Sequence, residues 1–386
     1  MMNFFSKISS LLIAILALQS CENALFDKDP EADPKSVFNY LWTEIDENYS
    51  YFKEKNIDWD SVYTVYNAKI NNDLSQEETF DILAEMMNLL RDGHVNLVSS
   101  FNISLYRIEF DFEENFDGRM LVDYYLDKRS DKIHTQLDNG YAFAVAGGEY
   151  ISGAFRNQVF NINDTLIGYV RYNDFTSTVT DLNWDYVLKN RMDTCKGIVI
   201  DVRSNGGGSP ENLFAILKRL INTRAFMYNT YLKDGNDRDE FTAGNKVYLA
   251  AHDSASAVLK PVRILTNRNC YSATSFFAAA ARSLAQQGYD IKLIGDYTGG
   301  GAGAPGGGQL PNGWQYRMSV TKSTIDMAAI DEDEINKGII EEGMFDDEEF
   351  HFEAGVPPHI RVDSDSTGKI NRDMILETAI LDIFTQ

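Results

Sequence analysis

Hydrophobic and polar positions divide the chain into parts with different periodicities. Over residues 36–94, apolar residues recur at three- and four-residue steps, as at Phe38 and Leu41, which predicts a small subdomain of amphipathic helices. Ser75 precedes the last helical segment, and Glu78 follows three residues later. This spacing is typical of a capping box, in which the two side chains hold the first turn of a helix.

The remainder of the chain first favours strands and then alternates between strands and helices. Short runs of aromatic and branched residues over 95–165 predict a small β-rich region. Over 166–386, the segments GIVIDVR, PENLFAILKRLINT, PVRILTN, SATSFFAAAARSLAQQ and IKLIG follow a βαβαβ order. That order predicts a mostly parallel sheet with right-handed crossovers, so the predicted fold class is α/β (α+β). The glycine-rich run 299–308 is predicted to be a loop, and a final amphipathic helix is predicted near the C-terminus.

The N-terminus has the features of an export signal. An apolar run from Leu11 to Leu18 is too short to cross a bilayer as a mature helix, but it fits the core of a signal peptide over residues 1–20. The LQSC sequence that ends this region resembles a lipobox, in which cleavage before Cys21 exposes that residue for lipidation; an ordinary secretory signal is the alternative. Residues 21–35 are polar and are predicted to be a tether. The expected location is the bacterial cell envelope, with the lipid anchor in the membrane.

Composition limits the partners and the kind of scaffold. Of the 386 residues, 44% are apolar, so a large core is possible, and three cysteines are too few for a small disulfide scaffold. A net charge of −23 argues against a nucleic acid as the main partner, and the acidic stretch 331–349 is predicted to be a solvated loop. Cys195 and Cys270 could form a disulfide or remain as two buried thiols. Composition does not predict the oligomeric state.

Two segments contain side chains suited to nucleophilic catalysis. His94 follows a predicted helix and stands beside a glycine, where an imidazole can face a cleft; a surface or core histidine is the alternative. Ser272 stands where a predicted strand gives way to an alanine-rich helix. A serine there lies near free N–H groups and the positive end of the helix dipole, which suits a nucleophile. The alternative is an ordinary helix N-cap, a position that serine favours.

Two further segments could complete such a site. The strand within 197–208 runs into three consecutive glycines, so the backbone can approach a ligand closely and its N–H groups could form an oxyanion hole. A plain turn is the alternative. Glu353 stands just before a Gly-Val-Pro-Pro turn that could hold it rigidly, although by itself this segment indicates only a turn.

Taken in order, these segments resemble those of a known enzyme family. DGHVNL, IVIDVRSNGGG, CYSATSFFAAA, GDYTGGG and FEAGVPPHI are similar to motifs of the C-terminal-processing (tail-specific) peptidases, which include tricorn-like and interphotoreceptor-retinoid-binding branches. The resemblance covers about residues 36–365 and implies a crotonase-like αβ core beside a helical N-terminal part. It implies that Ser272 is the nucleophile. It also implies that backbone N–H groups of the oxyanion hole come from Gly206, Gly207 and Ala273.

The same resemblance indicates the branch. The processing branch has a lysine base in a T-x-G-K motif, and the matching stretch here, TGGG at 298–301, has no lysine. This departure favours the tricorn-like arrangement, in which His94 would be the base and Glu353 would assist. Tricorn-like members have a serine just before this histidine, whereas this chain has Gly93. The predicted β-rich region contains no recognisable PDZ turn for binding peptide C-termini.

Three functions fit these residues. The first is a serine endopeptidase that hydrolyses protein or peptide substrates in the cell envelope, with no metal or organic cofactor implied. The second is a catalytically silent lipoprotein that binds a peptide, a glycan or an apolar ligand. The third is a crotonase-like acyl-thioester enzyme. The first requires Ser272 Oγ within about 4 Å of His94 across a cleft that faces the glycine turn, whereas a separation beyond about 8 Å would argue against it.

Overall fold

The computed structural model describes residues 31–107, 133–136, 142–145, 150–253, 257–330, 344–346, 348–362 and 373–386. The predicted signal peptide, the predicted lipidation site at Cys21 and most of the acidic stretch lie outside the described residues. Within the described ranges, no helix is both long enough and apolar enough to span a bilayer.

The predicted N-terminal helices are present as α1 (Pro34–Asn48), α2 (Trp59–Asn67) and α3 (Gln76–Asn88). Helix α3 begins with the predicted capping box: Ser75 Oγ accepts the Glu78 N–H at 3.2 Å, and the Glu78 carboxylate accepts the Ser75 N–H at 2.9 Å. Trp42 of α1 stacks on Trp59 of α2 with ring centroids 6.3 Å apart. The stacked rings hold α1 against α2.

The other elements follow the predicted order closely. The described strands are, in chain order, β1 (Asn96–Val98), β2 (Ile103–Leu105), β3 (Ile133–Gln136), β4 (Ala142–Val145), β5 (Tyr150–Ser152), β6 (Phe155–Ile162), β7 (Thr165–Arg171), β8 (Gly197–Asp201), β9 (Ala225–Leu232), β10 (Asn245–Leu249), β11 (Val262–Thr266), β12 (Ile291–Gly295), β13 (Pro305–Gln309), β14 (Gln315–Ser319), β15 (Thr321–Asp326), β16 (Glu349–His351) and β17 (Ile360–Arg361). The later helices are α4 (Asp181–Tyr186), α5 (Pro210–Leu217), α6 (Ala273–Gln286) and α7 (Met374–Phe384).

A nine-stranded mixed sheet forms the centre of the molecule. Its strand order is β17-β12-β11-β8-β7-β6-β4-β3, with β5 beside β6. The strands from β7 to β17 in this order pair in parallel, and α4 and α6 connect parallel neighbours, which confirms the predicted βαβ crossovers. The mixed α/β class is therefore the one that the sequence predicts.

Both faces of the parallel strands are buried. In β8, Ile198 and Ile200 belong to the larger apolar cluster, which includes Phe277 of α6. Val199 faces the other side and packs in a second cluster with Ile380 of α7. Burial on both faces explains why residues 198–200 of this strand, Ile-Val-Ile, form a continuous apolar run rather than an alternating one.

The described strands of the predicted β-rich region belong to two different sheets. Strands β3 to β6 extend the nine-stranded sheet, while β1 and β2 join β14 and β13 in a sheet of order β13-β14-β1-β2. Strands β10, β9, β15 and β16 form a third sheet in that order. The β13-β14-β1-β2 sheet matters for the site, because His94 precedes β1 and Ser319 ends β14.

The structure corrects one prediction and settles an open alternative. The prediction of a loop over 299–308 was wrong in part, because the second half of this stretch is in β13, which pairs antiparallel with β14. A run of glycines has no apolar period, so the pairing was not visible in the sequence. Cys195 and Cys270 are buried and unpaired, so they are thiols rather than a disulfide.

Candidate active site

The backbone at Ser272 holds its side chain away from the helix that follows. Ser272 has φ 55° and ψ −123°, a conformation that is costly for a residue with a Cβ. Its N–H donates to the Gly300 carbonyl at 3.0 Å, and its side chain makes no capping hydrogen bond to α6. The alternative of an ordinary N-cap is therefore wrong, because the hydroxyl faces His94 instead.

The turn after α3 brings His94 to this hydroxyl. His94 Nε2 lies 3.1 Å from Ser272 Oγ, although the two residues are 178 positions apart in the chain. This distance is within the hydrogen-bond reach that a serine nucleophile and its base require. The imidazole also packs against Tyr271, with ring centroids 5.1 Å apart, which limits its rotation.

A cleft of ≈ 370 Å³ adjoins the pair. It is lined by Gly93, Tyr106, Ser204, Gly206, Arg268, Asn269 and Tyr271, and so by the residues that immediately precede His94 and Ser272. A larger cavity of ≈ 630 Å³ lies between the ends of α5 and α6 and contains none of the predicted site residues. Of these two cavities, the smaller one is therefore the one beside the candidate pair.

The glycine turn packs directly against the serine. A Cβ added at Gly207 would lie 2.8 Å from Ser272 Cβ, so a side chain there would displace the serine. The Gly207 N–H donates to Asn205 Oδ1 at 3.0 Å, so it would have to leave that partner to bind an oxyanion. Among the described residues, the N–H groups of Gly206 and Ala273 have no acceptor, which leaves these two as candidate donors.

Asp92 is the residue near the base that sequence analysis missed. Its fully buried carboxylate accepts the His94 backbone N–H at 2.8 Å, the Tyr271 hydroxyl at 3.1 Å and the Ser319 hydroxyl at 2.8 Å. Asp92 belongs to the same DGH segment as His94, so its place in the sequence indicated that it could lie near the base. The sequence contained no sign of its contacts with Tyr271 and Ser319, because those residues lie more than 170 positions away in the chain.

The contacts of Tyr271 explain the glycine that precedes His94. A Cβ added at Gly93 would lie 2.9 Å from Tyr271 Cζ and 3.0 Å from its hydroxyl oxygen. A serine at this position, as in tricorn-like members, would therefore displace the ring that hydrogen-bonds Asp92. Gly93 is consistent with an arrangement in which Asp92 and Tyr271 meet behind the histidine.

Glu353 is buried close to the site, but its carboxylate does not contact His94. It accepts from Lys55 Nζ at 2.7 Å and from the Ala302 N–H at 2.8 Å. Lys55 Nζ also lies 3.9 Å from Asp92 Oδ2, so Glu353 and Asp92 share one buried cation. The sequence contained no signal for Lys55, which is 298 positions from Glu353.

Burial and neighbouring charges set the protonation of these groups. Burial lowers the pKa of His94 below its usual 6.5, with Arg317 and Lys55 adding to the effect and Asp92 opposing it. Burial would raise the pKa of Asp92, but Lys55, His94 and donated hydrogen bonds bring it below its usual 3.8. Burial raises the pKa of Glu353 to about 7, with Lys55 opposing and Asp92 adding to the rise. At neutral pH the imidazole is therefore neutral and Asp92 is ionised.

Family models match two parts of the chain. The model of peptidase family S41 matches residues 166–340, which contain the glycine turn and Ser272. The model of the tricorn protease C1 domain matches residues 30–88, which contain the N-terminal helices. No protein of curated function has a matching sequence.

Solved structures resemble almost the whole chain. A Parabacteroides merdae protein described as a candidate peptidase is 34% identical with a TM-score of 0.74, and the match covers 92% of this chain and 97% of that one. Mature CPAF is 11% identical with a TM-score of 0.55, over 85% of this chain and 92% of CPAF. The complex of mature CPAF with lactacystin is 11% identical with a TM-score of 0.56, and that match covers 92% of this chain and 97% of CPAF. The CPAF structures show a shared fold, and the family models together with the Parabacteroides relative show that the chain belongs to peptidase family S41, a family of serine peptidases.

Proposed function

We propose that the protein is a serine endopeptidase in which Ser272 is the nucleophile and His94 is the base. The observation that supports this most directly is the 3.1 Å distance from His94 Nε2 to Ser272 Oγ. The lowered pKa of His94, caused first by burial, keeps the imidazole neutral and able to accept the serine proton. The glycine turn and the start of α6 supply backbone N–H groups beside the hydroxyl.

The proposed reaction is acyl transfer through a covalent intermediate. His94 takes the hydroxyl proton while Ser272 Oγ forms a bond to the peptide carbonyl carbon, and the carbonyl oxygen becomes an oxyanion. The N–H groups of Ala273 and Gly206 stabilise that oxyanion. The protonated His94 then gives its proton to the leaving amine as the C–N bond breaks. Water, deprotonated in turn by His94, releases the acyl group and restores Ser272.

Labelling with a fluorophosphonate probe tests the nucleophile. We expect the purified wild-type protein to be labelled and Ser272→Ala to remain unlabelled, because the probe reacts with an activated serine oxygen. Ser283→Ala is the matched control. Ser283 is on the same helix, and its buried hydroxyl has no hydrogen-bond partner among the described residues, so its loss should leave labelling unchanged.

Two results would contradict the proposal. Equal labelling of Ser272→Ala and wild type would remove Ser272 as the nucleophile. A wild-type protein that takes up no probe and releases no new termini from an unfolded protein such as casein would favour the silent binding protein instead.

We also propose that the mature protein is held in the cell envelope by a lipid on Cys21. The proposal is supported by the apolar run, the LQSC sequence and the polar tether at 21–35. In bacteria fed an alkynyl fatty acid, we expect the full chain to acquire the label and to require detergent for release from membranes. Cys21→Ser should abolish both properties, and Cys195→Ser should abolish neither. Full labelling of Cys21→Ser would contradict the anchor.

A further inference from the structure

We infer that Ser319 and Asp92 are positioning residues that hold the His94 imidazole in the orientation and tautomer needed to accept a proton from Ser272. This inference rests on the proposed function of the pair. Ser319 lies next to the His94 ring, and Asp92 lies next to Ser319. Glu353, which the family resemblance implies as the assisting residue, is connected to Asp92 only through Lys55.

The hydrogen atoms of this group can be placed from its contacts. Ser319 Oγ lies 2.8 Å from Asp92 Oδ2 and 3.5 Å from His94 Nδ1. An ionised carboxylate can only accept, so the single hydroxyl hydrogen of Ser319 goes to Asp92. The serine oxygen can then only accept from His94, so Nδ1 carries the ring hydrogen. Nε2 is left with its lone pair directed at Ser272 Oγ, as a general base requires.

A glycine keeps the space around this hydroxyl free. A Cβ added at Gly303 would lie 2.4 Å from Ser319 Cβ and 2.8 Å from Ser319 Oγ. A side chain at Gly303 would therefore displace the hydroxyl that lies between Asp92 and the His94 ring.

The backbone around Ser319 fixes the position of its hydroxyl. Ser319 is the last residue of β14 and pairs with Pro305 in β13. Its carbonyl accepts the Ser50 N–H at 3.1 Å, which ties the end of β14 to the segment after α1. The side chain is completely buried, so no solvent competes for its hydroxyl. A buried, tethered hydroxyl is suited to orienting a neighbour rather than to reacting with substrate.

Asp92 is held equally firmly and stays ionised. Besides Ser319 it receives the His94 N–H at 2.8 Å and the Tyr271 hydroxyl at 3.1 Å, and Lys55 Nζ is 3.9 Å away. When His94 takes the serine proton, its positive charge is linked to this carboxylate through one hydroxyl. The contact of 3.5 Å is long in the resting state and is expected to shorten as the imidazolium forms.

Replacing Ser319 with alanine tests the inference. We expect kcat for peptide hydrolysis to fall roughly 10- to 100-fold with little change in KM, because the loss affects orientation of the base and not substrate binding. The acidic limb of the kcat/KM profile should move to lower pH, because the pKa of His94 falls when the imidazolium loses its link to Asp92. The positive charges of Arg317 and Lys55, which lower this pKa, and the contact with Tyr271 remain in the variant. Ser323→Ala is the matched control: it removes a buried hydroxyl of β15 that has no hydrogen-bond partner in the part of the chain that the structure describes.

An NMR titration of the His94 ring nitrogens gives a readout that does not depend on activity. We expect wild type to show the Nδ1–H tautomer, and Ser319→Ala to titrate at lower pH than wild type by about half a pH unit or more. The inference is overturned if wild type has the Nε2–H tautomer, or if Ser319→Ala matches Ser323→Ala in its titration and kcat. Failure of the proposed function would be recognised separately, as absence of probe labelling at Ser272 in wild type.

Discussion

His94→Ala is expected to lower kcat/KM for peptide hydrolysis on the order of 10³- to 10⁶-fold, because a serine hydroxyl without its base is a poor nucleophile at neutral pH. The loss should be almost entirely in kcat, since the imidazole contacts Ser272 and not the wider cleft. Wild-type kcat/KM should also fall on the acidic side with a midpoint below pH 6.5, because burial lowers the pKa of His94 from that value. Initial rates on an internally quenched peptide across the pH range measure both effects.

The control for this variant is His252→Ala, which truncates an exposed histidine outside the site. It should retain wild-type rates and the wild-type pH profile. A His94→Ala rate within tenfold of wild type, or an unchanged acidic limb, would show that another group takes the serine proton. Unfolding curves of both variants verify that a lower rate reflects loss of catalysis and not unfolding of the variant.

The parts of the site that the sequence predicted are those built by local chain geometry. Ser272 stood out because a strand-to-helix junction is visible in the apolar pattern, and His94 because it ends a helix beside a glycine. Whether Ser272 caps α6 or faces a cleft was not decidable from the pattern. The answer depends on φ and on the Gly300 carbonyl, which holds the serine N–H.

The parts that the sequence did not predict depend on contacts between distant segments. Ser319 reaches Asp92 only because β14 pairs with β1, and Lys55 reaches Glu353 across 298 residues. The hydrogen bond from the Gly207 N–H to Asn205 is local, but the apolar pattern carries no information about which polar groups pair within a turn. Periodicity predicts which residues are buried, but it does not predict which buried polar groups meet.

Asp201→Asn is expected to lower the free energy of unfolding by roughly 3–5 kcal/mol, because it removes the charge at the centre of a buried ion cluster. Asp201 ends β8 and is completely buried. Its carboxylate accepts from Arg171 at 2.9 Å, from Arg203 at 2.7 Å and from the Tyr169 hydroxyl at 2.7 Å. Arg203 in turn pairs with Asp373, the residue that caps α7. The variant would deprive two buried guanidinium groups, those of Arg171 and Arg203, of the carboxylate charge that they share.

The pH dependence of this loss has a definite sign. Burial would raise the pKa of Asp201, but Arg203 and Arg171 hold it well below its usual 3.8. A carboxylate whose folded-state pKa is depressed stabilises the protein above its unfolded-state pKa, and that contribution is lost as the pH falls through the folded-state value. The difference between wild type and Asp201→Asn should therefore be full at neutral pH and should shrink once the pH falls below about 4.

Chemical denaturation at several pH values measures this difference, with Asp60→Asn as the matched control. Asp60 also pairs with an arginine, Arg238, but its side chain is 75% exposed, so its loss should cost less than about 1 kcal/mol. Because Arg203 directly precedes the turn that carries Gly206 and Gly207, a loosened cluster should also lower probe labelling of Ser272 before global unfolding. Equal stabilities of the two variants would show that Asp201 does not hold the end of β8, and the glycine turn would then need another anchor.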